Sequence, residues 1–438
     1  ESESVAEILH LGDPAWPLEP DDALTLLQEE QRLSVQNAAP EGQDDGVFHR
    51  PDPLTGLLRH GDFLAHLARA CSECERFSLA LLHVDMARRD GESSGAIQPM
   101  TQPEHIMAQV ADLARSVCGR KVLGGRFGLN SLIFFHPDLE AEPLRELYEK
   151  LCADIASRLG VRAGVGLACW PFLDLRPSDM IEGARKALEY GLLLPAPHIG
   201  QFGSLALNIS ADKRHCRGDV FGAIEEYKLA LLADEDNVLA WNSLGVCLAS
   251  LGRHAEARRF FEEAIQRTPD DPALAYNLGA VCQSLHDNEA AAEHFRTCIR
   301  LSPSHLYALI RLGQLDEAEE RLEEARARFE SAAALDTGSP LPYRHLARLA
   351  LRLGKADQAR EHLHQALLRN PRDVAALSLM ADLYLDGGED PELAESLARQ
   401  SVALRPEYRN GWLVLSRALE VQGRLSDARE ALLKAGEL

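Results

Sequence analysis

A period of 34 residues organises the second half of the chain and constrains its fold more than any other feature. Pro269 and Pro303 stand 34 apart, and Pro371 lies twice that distance further on. The run Ala257-x3-Phe261-x2-Ala264-x4-Pro269 recurs as Ala291-x3-Phe295-x2-Cys298-x4-Pro303, as Ala325-x3-Phe329-x2-Ala332, and as Ala359-x3-Leu363-x2-Ala366-x4-Pro371. Upstream in each unit a large residue precedes a small one, as in Leu244-Gly245, Leu278-Gly279, Leu312-Gly313, Leu346-Ala347 and Leu415-Ser416. Apolar residues three and four apart share one helical face, so each unit predicts two helices. The small positions let paired helices approach closely, and the large ones fill the space between neighbouring pairs. Proline stops the second helix, and acids such as Asp270 and Asp271 cap the next. No pair can bury its apolar face alone, so the units must stack. The expected boundaries are 204–237, 238–271, 272–305, 306–339, 340–373, 374–408 and 409–438. The sixth unit holds one inserted residue near Gly387-Gly388, and the first carries Arg214 and Cys216 where apolar residues are usual.

This pattern is identified as the tetratricopeptide repeat (TPR). The resemblance implies an all-α superhelical solenoid whose first helices line a concave groove for protein partners. It assigns the groove to the second, fifth, ninth, twelfth and thirteenth positions of a unit. Asn208, Asn242 and Tyr276 fall at the fifth, Tyr307 at the second of unit four, and Arg344, Arg348 and Arg352 in unit five. Those arginines are spaced i, i+4, i+8 and share one helical face. In an acidic chain, a basic stripe inside a groove predicts an acidic peptide or helix as ligand, because Arg pairs carboxylates in bidentate fashion. The alternative is a solvated face neutralised by neighbouring acids. The Lys and Asn set with which some TPRs clamp a C-terminal carboxylate is not reproduced. The last helix, AREALLKAGEL, has no polar capping helix after it, which leaves self-association through the C-terminal repeat open.

Residues 50–203 have a different texture. FSLALLHVD (77–85), SLIFFHP (131–137) and VRAGVGLACW (161–170) are apolar runs of strand length, and HIMAQVADLARSV (105–117) and LRELYEKLCADIASRL (144–159) between them are helical. Alternating strands and helices predict an α/β domain with a mixed central sheet.

Five segments of this region resemble a GGDEF domain, the catalytic module of bacterial diguanylate cyclases. Asp52-Pro-Leu-Thr-Gly-Leu57 with Phe63-Leu64 resembles the family's DxLTGLxNRxxF opening. Leu79 to Asp85 resembles its first core strand, and Arg126 to Asp138 its RYGGDEFAVLLPD hairpin. Val161 to Ala168 resembles VTVSIGIA, and Ala184 to Leu188 resembles ADKALY. The resemblance implies two acids holding Mg²⁺ against a nucleoside triphosphate, and two glycines where the backbone closes on phosphate. Here Asp85 and Gly128 remain, but Leu129 replaces the second glycine, Asn130 the metal-binding acid and Ser131 the acid beside it. An amide in place of a carboxylate removes a ligand charge that Mg²⁺ chemistry needs. The guanine-reading segment is unrecognisable in MARRDGESSGAIQPM, and Gly119 and Val122 replace the Arg and Asp of the inhibitory product site, with Arg120 adjacent. A competing register places Gly124-Gly125 on the family glycines, with Arg126 and Phe127 at the acidic positions. Both registers predict a degenerate, inactive site without metal or cofactor, in a domain kept for its surface and for self-association. Two alternatives remain: a receptor for GTP or cyclic di-GMP, and an active cyclase that uses Asp85 with a substitute acid such as Asp90.

A formal net charge of -22 disfavours a nucleic-acid binder. No run of about 18 apolar residues predicts a membrane span. Nine cysteines scattered through apolar segments suit a reducing cytoplasm, which the family resemblance implies to be bacterial, and the lone Cys71-Ser-Glu-Cys74 reads as helix packing. Residues 1–49 carry twelve acids and one basic residue, Arg32. There DDALTLLQEEQRL predicts a short helix capped by Asp21 or Asp22, followed by a flexible linker. The missing initial Met is read as a start inside a longer chain. The expected whole is a non-catalytic scaffold of bacterial signalling: acidic segment 1–49, degenerate GGDEF-like domain 50–203, and seven TPR units over 204–438.

Overall fold

The computed structural model describes residues 51–89, 103–119 and 122–436. The acidic segment with its predicted helix, Asp90 with the rest of its loop, and Arg120 lie outside the described residues. The fold divides into two compact units between Cys247 and Leu248.

The first unit is built on a five-stranded mixed sheet. β1 (Phe77–Arg89) lies at its centre, and β3 (Ser131–Pro137) and β4 (Val161–Trp170) flank it antiparallel. β2 (Leu123–Arg126) pairs antiparallel with β3, and β5 (Ile199–Gln201) parallel with β4, giving the order β2-β3-β1-β4-β5. β3 and β4 match the predicted runs residue for residue. β1 runs four residues past Asp85, through a register shift between Asp85 and Arg89. Four helices cover the sheet: α1 (His60–Glu73), α2 (Pro103–Cys118), α3 (Ala141–Leu159) and α4 (Met180–Gly191).

Strand alternation sorts these helices between two faces. Ala80, Leu82 and Val84 of β1 join Leu132, Phe134, Val165 and Leu167 in one core with Met107 and Val110 of α2 and Tyr148, Leu151 and Ile155 of α3. The other face receives α1 and α4, and glycine lets them come close. A methyl on Gly125 would sit 2.6 Å from Phe63, and one on Gly166 only 2.0 Å from the Ala184 carbonyl oxygen. No side chain fits at either position.

Two helices, α5 (Ser204–Cys216) and α6 (Val220–Ala233), belong to the same unit as the sheet. Lys186 on α4 donates to the Glu226 carboxylate on α6 at 2.9 Å, and both side chains are nearly excluded from water. Arg214 on α5 donates to the same carboxylate at 2.6 Å. Arg214 therefore stands at its unusual position as an ion-pair partner, while Cys216 is exposed. The change of sequence texture at residue 204 and the division of compactness at Leu248 fall at different places.

The helices continue with α7 (Val238–Ser250), α8 (His254–Arg267), α9 (Pro272–Ser284), α10 (Asn288–Leu301), α11 (Leu306–Ala318) and α12 (Leu322–Ala334). They end with α13 (Leu341–Arg352), α14 (Ala356–Arg369), α15 (Val374–Asp386), α16 (Pro391–Leu404), α17 (Arg409–Val421) and α18 (Leu425–Gly436). One left-handed residue recurs between the two helices of each unit: Gly218, Gly252, His286, Glu320, Gly354, Gly388 and Gly423. The spacing is 34 up to Gly388 and 35 from there to Gly423. The extra residue enters after Gly388, where Asp390 caps α16 through the Glu392 and Leu393 amides. Packing follows the repeat: Phe261, Phe295, Phe329 and Leu363 are all fully buried, as are the alanines four residues before them. The small residues upstream explain how. A methyl on Gly279 would meet the Phe295 ring at 2.8 Å, and one on Gly313 the Phe329 ring at 2.6 Å. No described helix is long and apolar enough to cross a membrane.

Candidate functional site

The hairpin between β2 and β3 brings four of the five predicted residues to the end of the sheet where β1 carries Asp85. The Phe127 amide donates to the Ser131 carbonyl at 2.9 Å and the Gly128 amide to the same oxygen at 3.2 Å, which closes the turn around Leu129 and Asn130. The Val84 amide donates to the Asn130 carbonyl at 2.9 Å, placing Asn130 one residue from Asp85 along β1. Ser131 and His83 face each other in register, with the hydroxyl 3.0 Å from Nδ1. Asp85 is buried and stands opposite Arg162 of β4. Leu129 is 62% exposed at the tip of the turn, where the family resemblance calls for a bare glycine.

The opening motif packs beside this hairpin. Asp52 accepts from the Thr55 amide and hydroxyl, each at 2.8 Å, and its other oxygen pairs with Arg126 at 3.2 Å. Burial alone would raise the Asp52 carboxyl, and these bonds and the Arg126 charge overcome it, leaving it below the usual range. Arg126 also reaches the Gly128 carbonyl at 3.3 Å. The register that put Gly124-Gly125 at a phosphate-binding turn is corrected here. Both lie inside β2, where a methyl on Gly124 would strike the Phe134 ring at 2.8 Å. They are glycines because α1 and β3 crowd them, and their backbone is spent on sheet pairing. Among the described residues no group of three or more His, Cys, Asp or Glu is arranged to hold a metal.

In the repeats, a cavity of about 560 Å³ opens between first helices of successive units. Its lining includes Tyr307, Arg311 and Gln314 of α11, Arg344, His345 and Arg348 of α13, Leu379 of α15, Arg405 and Tyr408 in the connection before α17, and Asn410 in the first turn of α17. Of the predicted groove residues, Tyr307, Arg344 and Arg348 meet there. Tyr307 is 55% exposed. Arg352 lies outside that lining. Tyr276 is half-buried against His305, with ring centroids 4.8 Å apart, and against Phe295. Asn242 and Asn208 belong to the first unit. Asn208 is buried and donates to Asp212 at 3.1 Å.

The arginine stripe does not stand free. Arg344 donates to both oxygens of Asp373 at 3.2 Å, and that carboxylate also caps α15 through the Ala376 amide. Arg348 reaches Glu317 at 2.8 Å, and Arg352 reaches Glu317 at 3.1 Å and Glu320 at 2.9 and 3.0 Å. Burial would raise the Glu317 carboxyl, but the bonds and charges of Arg348 and Arg352 hold it below the ordinary range. The neutralised face that the sequence left as the alternative is therefore the arrangement found. His345, beneath the stripe, is pushed down to about 4 by burial and then by Arg348 and Arg344. It is neutral at physiological pH and its ring stacks on Phe329.

Arg311, Arg405, Tyr408 and Asn410 were not read from the sequence. Arg311 follows Tyr307 by four residues and so shares its helical face, a signal open to a position-by-position reading. Arg405 and Tyr408 lie in the connection before α17, where helical periodicity gives no guide.

Three tetratricopeptide repeat models match the chain, over residues 236–304, over 317–383, and over 277–340 with 380–437. Residues 236–437 are tetratricopeptide repeats. Over 230 residues the chain is 25% identical to the Protein O-mannosyl-transferase TMTC3 of Homo sapiens, covering 48% of this chain and 25% of that one. It is 26% identical over 187 residues to the BBSome complex member BBS4 of Xenopus tropicalis, covering 42% and 34%. It is 25% identical over 141 residues to the TPR repeat-containing protein YpiA of Bacillus subtilis (strain 168), covering 32% and 33%. The chain thus spans a quarter to a third of the length of these relatives. Among solved structures, a tetratricopeptide repeat protein from Parabacteroides merdae aligns with a TM-score of 0.45 at 19% identity, covering 53% of this chain and 92% of that one. PilW, a type IV pilus biogenesis factor, aligns at 0.44 and 20%, covering 48% and 98%.

Proposed function

We propose that this chain is a non-catalytic scaffold of bacterial cytoplasmic signalling, whose repeats grip a protein partner while a degenerate GGDEF-like domain serves as a docking or sensing module. The cavity between α11, α13, α15 and α17 carries this reading. It is concave and of ligand size, and it presents two tyrosines, several guanidinium groups and an exposed amide on rigid helices. An acidic peptide or helix is the partner that its cations favour. The sheet order β2-β3-β1-β4-β5, with the hairpin turn beside Asp85, supports the GGDEF-like part. The loss of activity is supported by the residues at that turn. Mg²⁺ at such a site is held by carboxylates, Asn130 offers only a neutral amide oxygen, and Leu129 adds a branched side chain where the backbone must approach phosphate. Self-association through this domain or the last repeat belongs to the same reading.

Charge reversal of Arg344 or Arg348 would break internal ion pairs, so the test uses exposed cavity residues. Partners co-purified with the full chain are compared with those of Tyr307→Ala and Asn410→Ala. Loss of a partner from both variants is expected; full retention in both removes the groove from the proposal.

A second reading, a receptor for GTP or cyclic di-GMP, rests on the gathering of Asp85, Asn130 and Ser131 at one end of the sheet. Titration calorimetry with each nucleotide and Mg²⁺ separates the two. Heat that disappears in Asp85→Ala favours the receptor, and none at high micromolar ligand favours the scaffold.

A further inference from the structure

The cavity holds four guanidinium groups in very different states. Arg344 and Arg348 are committed to Asp373 and Glu317, whose side chains are only 5% and 7% exposed. Arg405 has a loose pair with Glu407 at 3.6 Å, with both side chains more than half exposed. Arg311 is exposed, and no hydrogen bond or ion pair holds its side chain among the described residues. In a chain of net charge -22, an unmatched cation inside a concavity is a specific attraction for an anion. Beside it lie Ile310, Leu341, Ala375 and Leu379, an apolar floor, with Tyr307 standing 55% exposed above it. An apolar floor next to one unpaired guanidinium fits a carboxylate adjoining a large apolar side chain.

We propose that this cavity recognises a peptide bearing Asp or Glu beside Leu, Phe or Tyr, with Arg311 anchoring the carboxylate and Tyr307 covering the apolar side chain. The proposal rests on the reading that the repeats bind protein, and it shifts recognition from the neutralised stripe to one residue on α11. Arg311 offers two parallel N–H donors to a carboxylate, and the apolar floor excludes the water that would weaken the pair.

The full-length chain is titrated against two immobilised hexapeptide libraries. One carries Asp or Glu beside Leu, Phe or Tyr; the other carries Asn or Gln in place of the acid. The expected result is selection of the acidic library, a loss of at least tenfold in Arg311→Glu, and substantial retention in Arg311→Lys. Arg300→Glu, an exposed charge outside the cavity, is expected to lose less than threefold. Equal binding of the two libraries, or equal losses in Arg311→Glu and Arg300→Glu, overturns the role of Arg311. If binding to the amide library then fails in Tyr307→Ala, the groove stands as a protein site without it. If no peptide of either library binds, the groove reading and the Arg311 proposal fall together.

Discussion

The Arg348 guanidinium meets the buried carboxylate of Glu317 at 2.8 Å, across 31 positions of sequence. That pair, with Arg352 on the other oxygen of Glu317, turns a basic stripe into a clasp between α11 and α13. Removing both arginines leaves a buried carboxylate without a counter-charge. Arg348→Ala with Arg352→Ala is expected to lower the midpoint of urea denaturation by more than the two single changes together, because either arginine alone still faces the Glu317 carboxylate.

The Lys186–Glu226 pair gives an asymmetric prediction. Lys186→Met leaves Glu226 with Arg214 at 2.6 Å, whereas Glu226→Ala leaves a buried ammonium without a partner. Glu226→Ala is expected to cost about 3 kcal/mol and Lys186→Met about 1 kcal/mol in the same measurement. Equal costs would mean that Arg214 contributes nothing to the neutralisation.

Two glycines of the first unit predict opposite signs. Gly166→Ala places a methyl 2.0 Å from a backbone oxygen and 2.3 Å from the Leu188 amide nitrogen, so α4 must lift off β4. A loss of about 3 kcal/mol or more is expected, with disturbed near-ultraviolet dichroism. Gly61→Ala, in α1 with open space around it, is expected to gain about 0.5–1 kcal/mol from helix propensity.

Acid should weaken the fold through two buried histidines. Burial pushes His136 down to about 4, beside the Tyr148 hydroxyl at 3.0 Å, and His345 to about 4 as well. An unfolded histidine takes a proton near pH 6.5, and the folded ones only near 4. Stability from each is therefore whole above pH 6.5 and is lost as pH falls towards 4, by up to about 3 kcal/mol. The depressed Glu317 carboxyl acts at lower pH: its contribution is whole above the ordinary Glu value of about 4.3 and is lost as pH falls below it. The midpoint of thermal unfolding should fall between pH 7 and 4.5, and His136→Gln should flatten the slope. An unchanged slope in that variant would remove His136 as a contributor.

Much of the architecture was legible because its signals are local. β3 and β4 announced themselves as apolar runs, and their limits agree with the sequence to the residue. The Ala-x3-Phe-x2-Ala spacing located residues that are all buried, and the inserted residue falls in the connection that follows Gly388. The hairpin residues Gly128, Leu129, Asn130 and Ser131 were found together because they are adjacent in the chain. Asp85 joined them through strand pairing, which the order of apolar runs anticipates but does not fix.

By itself, the sequence determined the helix pairs, their period and the residues that must be buried, because hydrophobic spacing acts within a few residues and burial tolerates little variation. Only the tertiary structure decided which charges remain unmatched. Arg344, Arg348 and Arg352 look alike in the chain, as does Arg311, yet the first three face acids some 30 residues away on neighbouring helices and the last does not. An ion pair requires two groups a few ångströms apart, and that proximity is created by stacking one unit on the next.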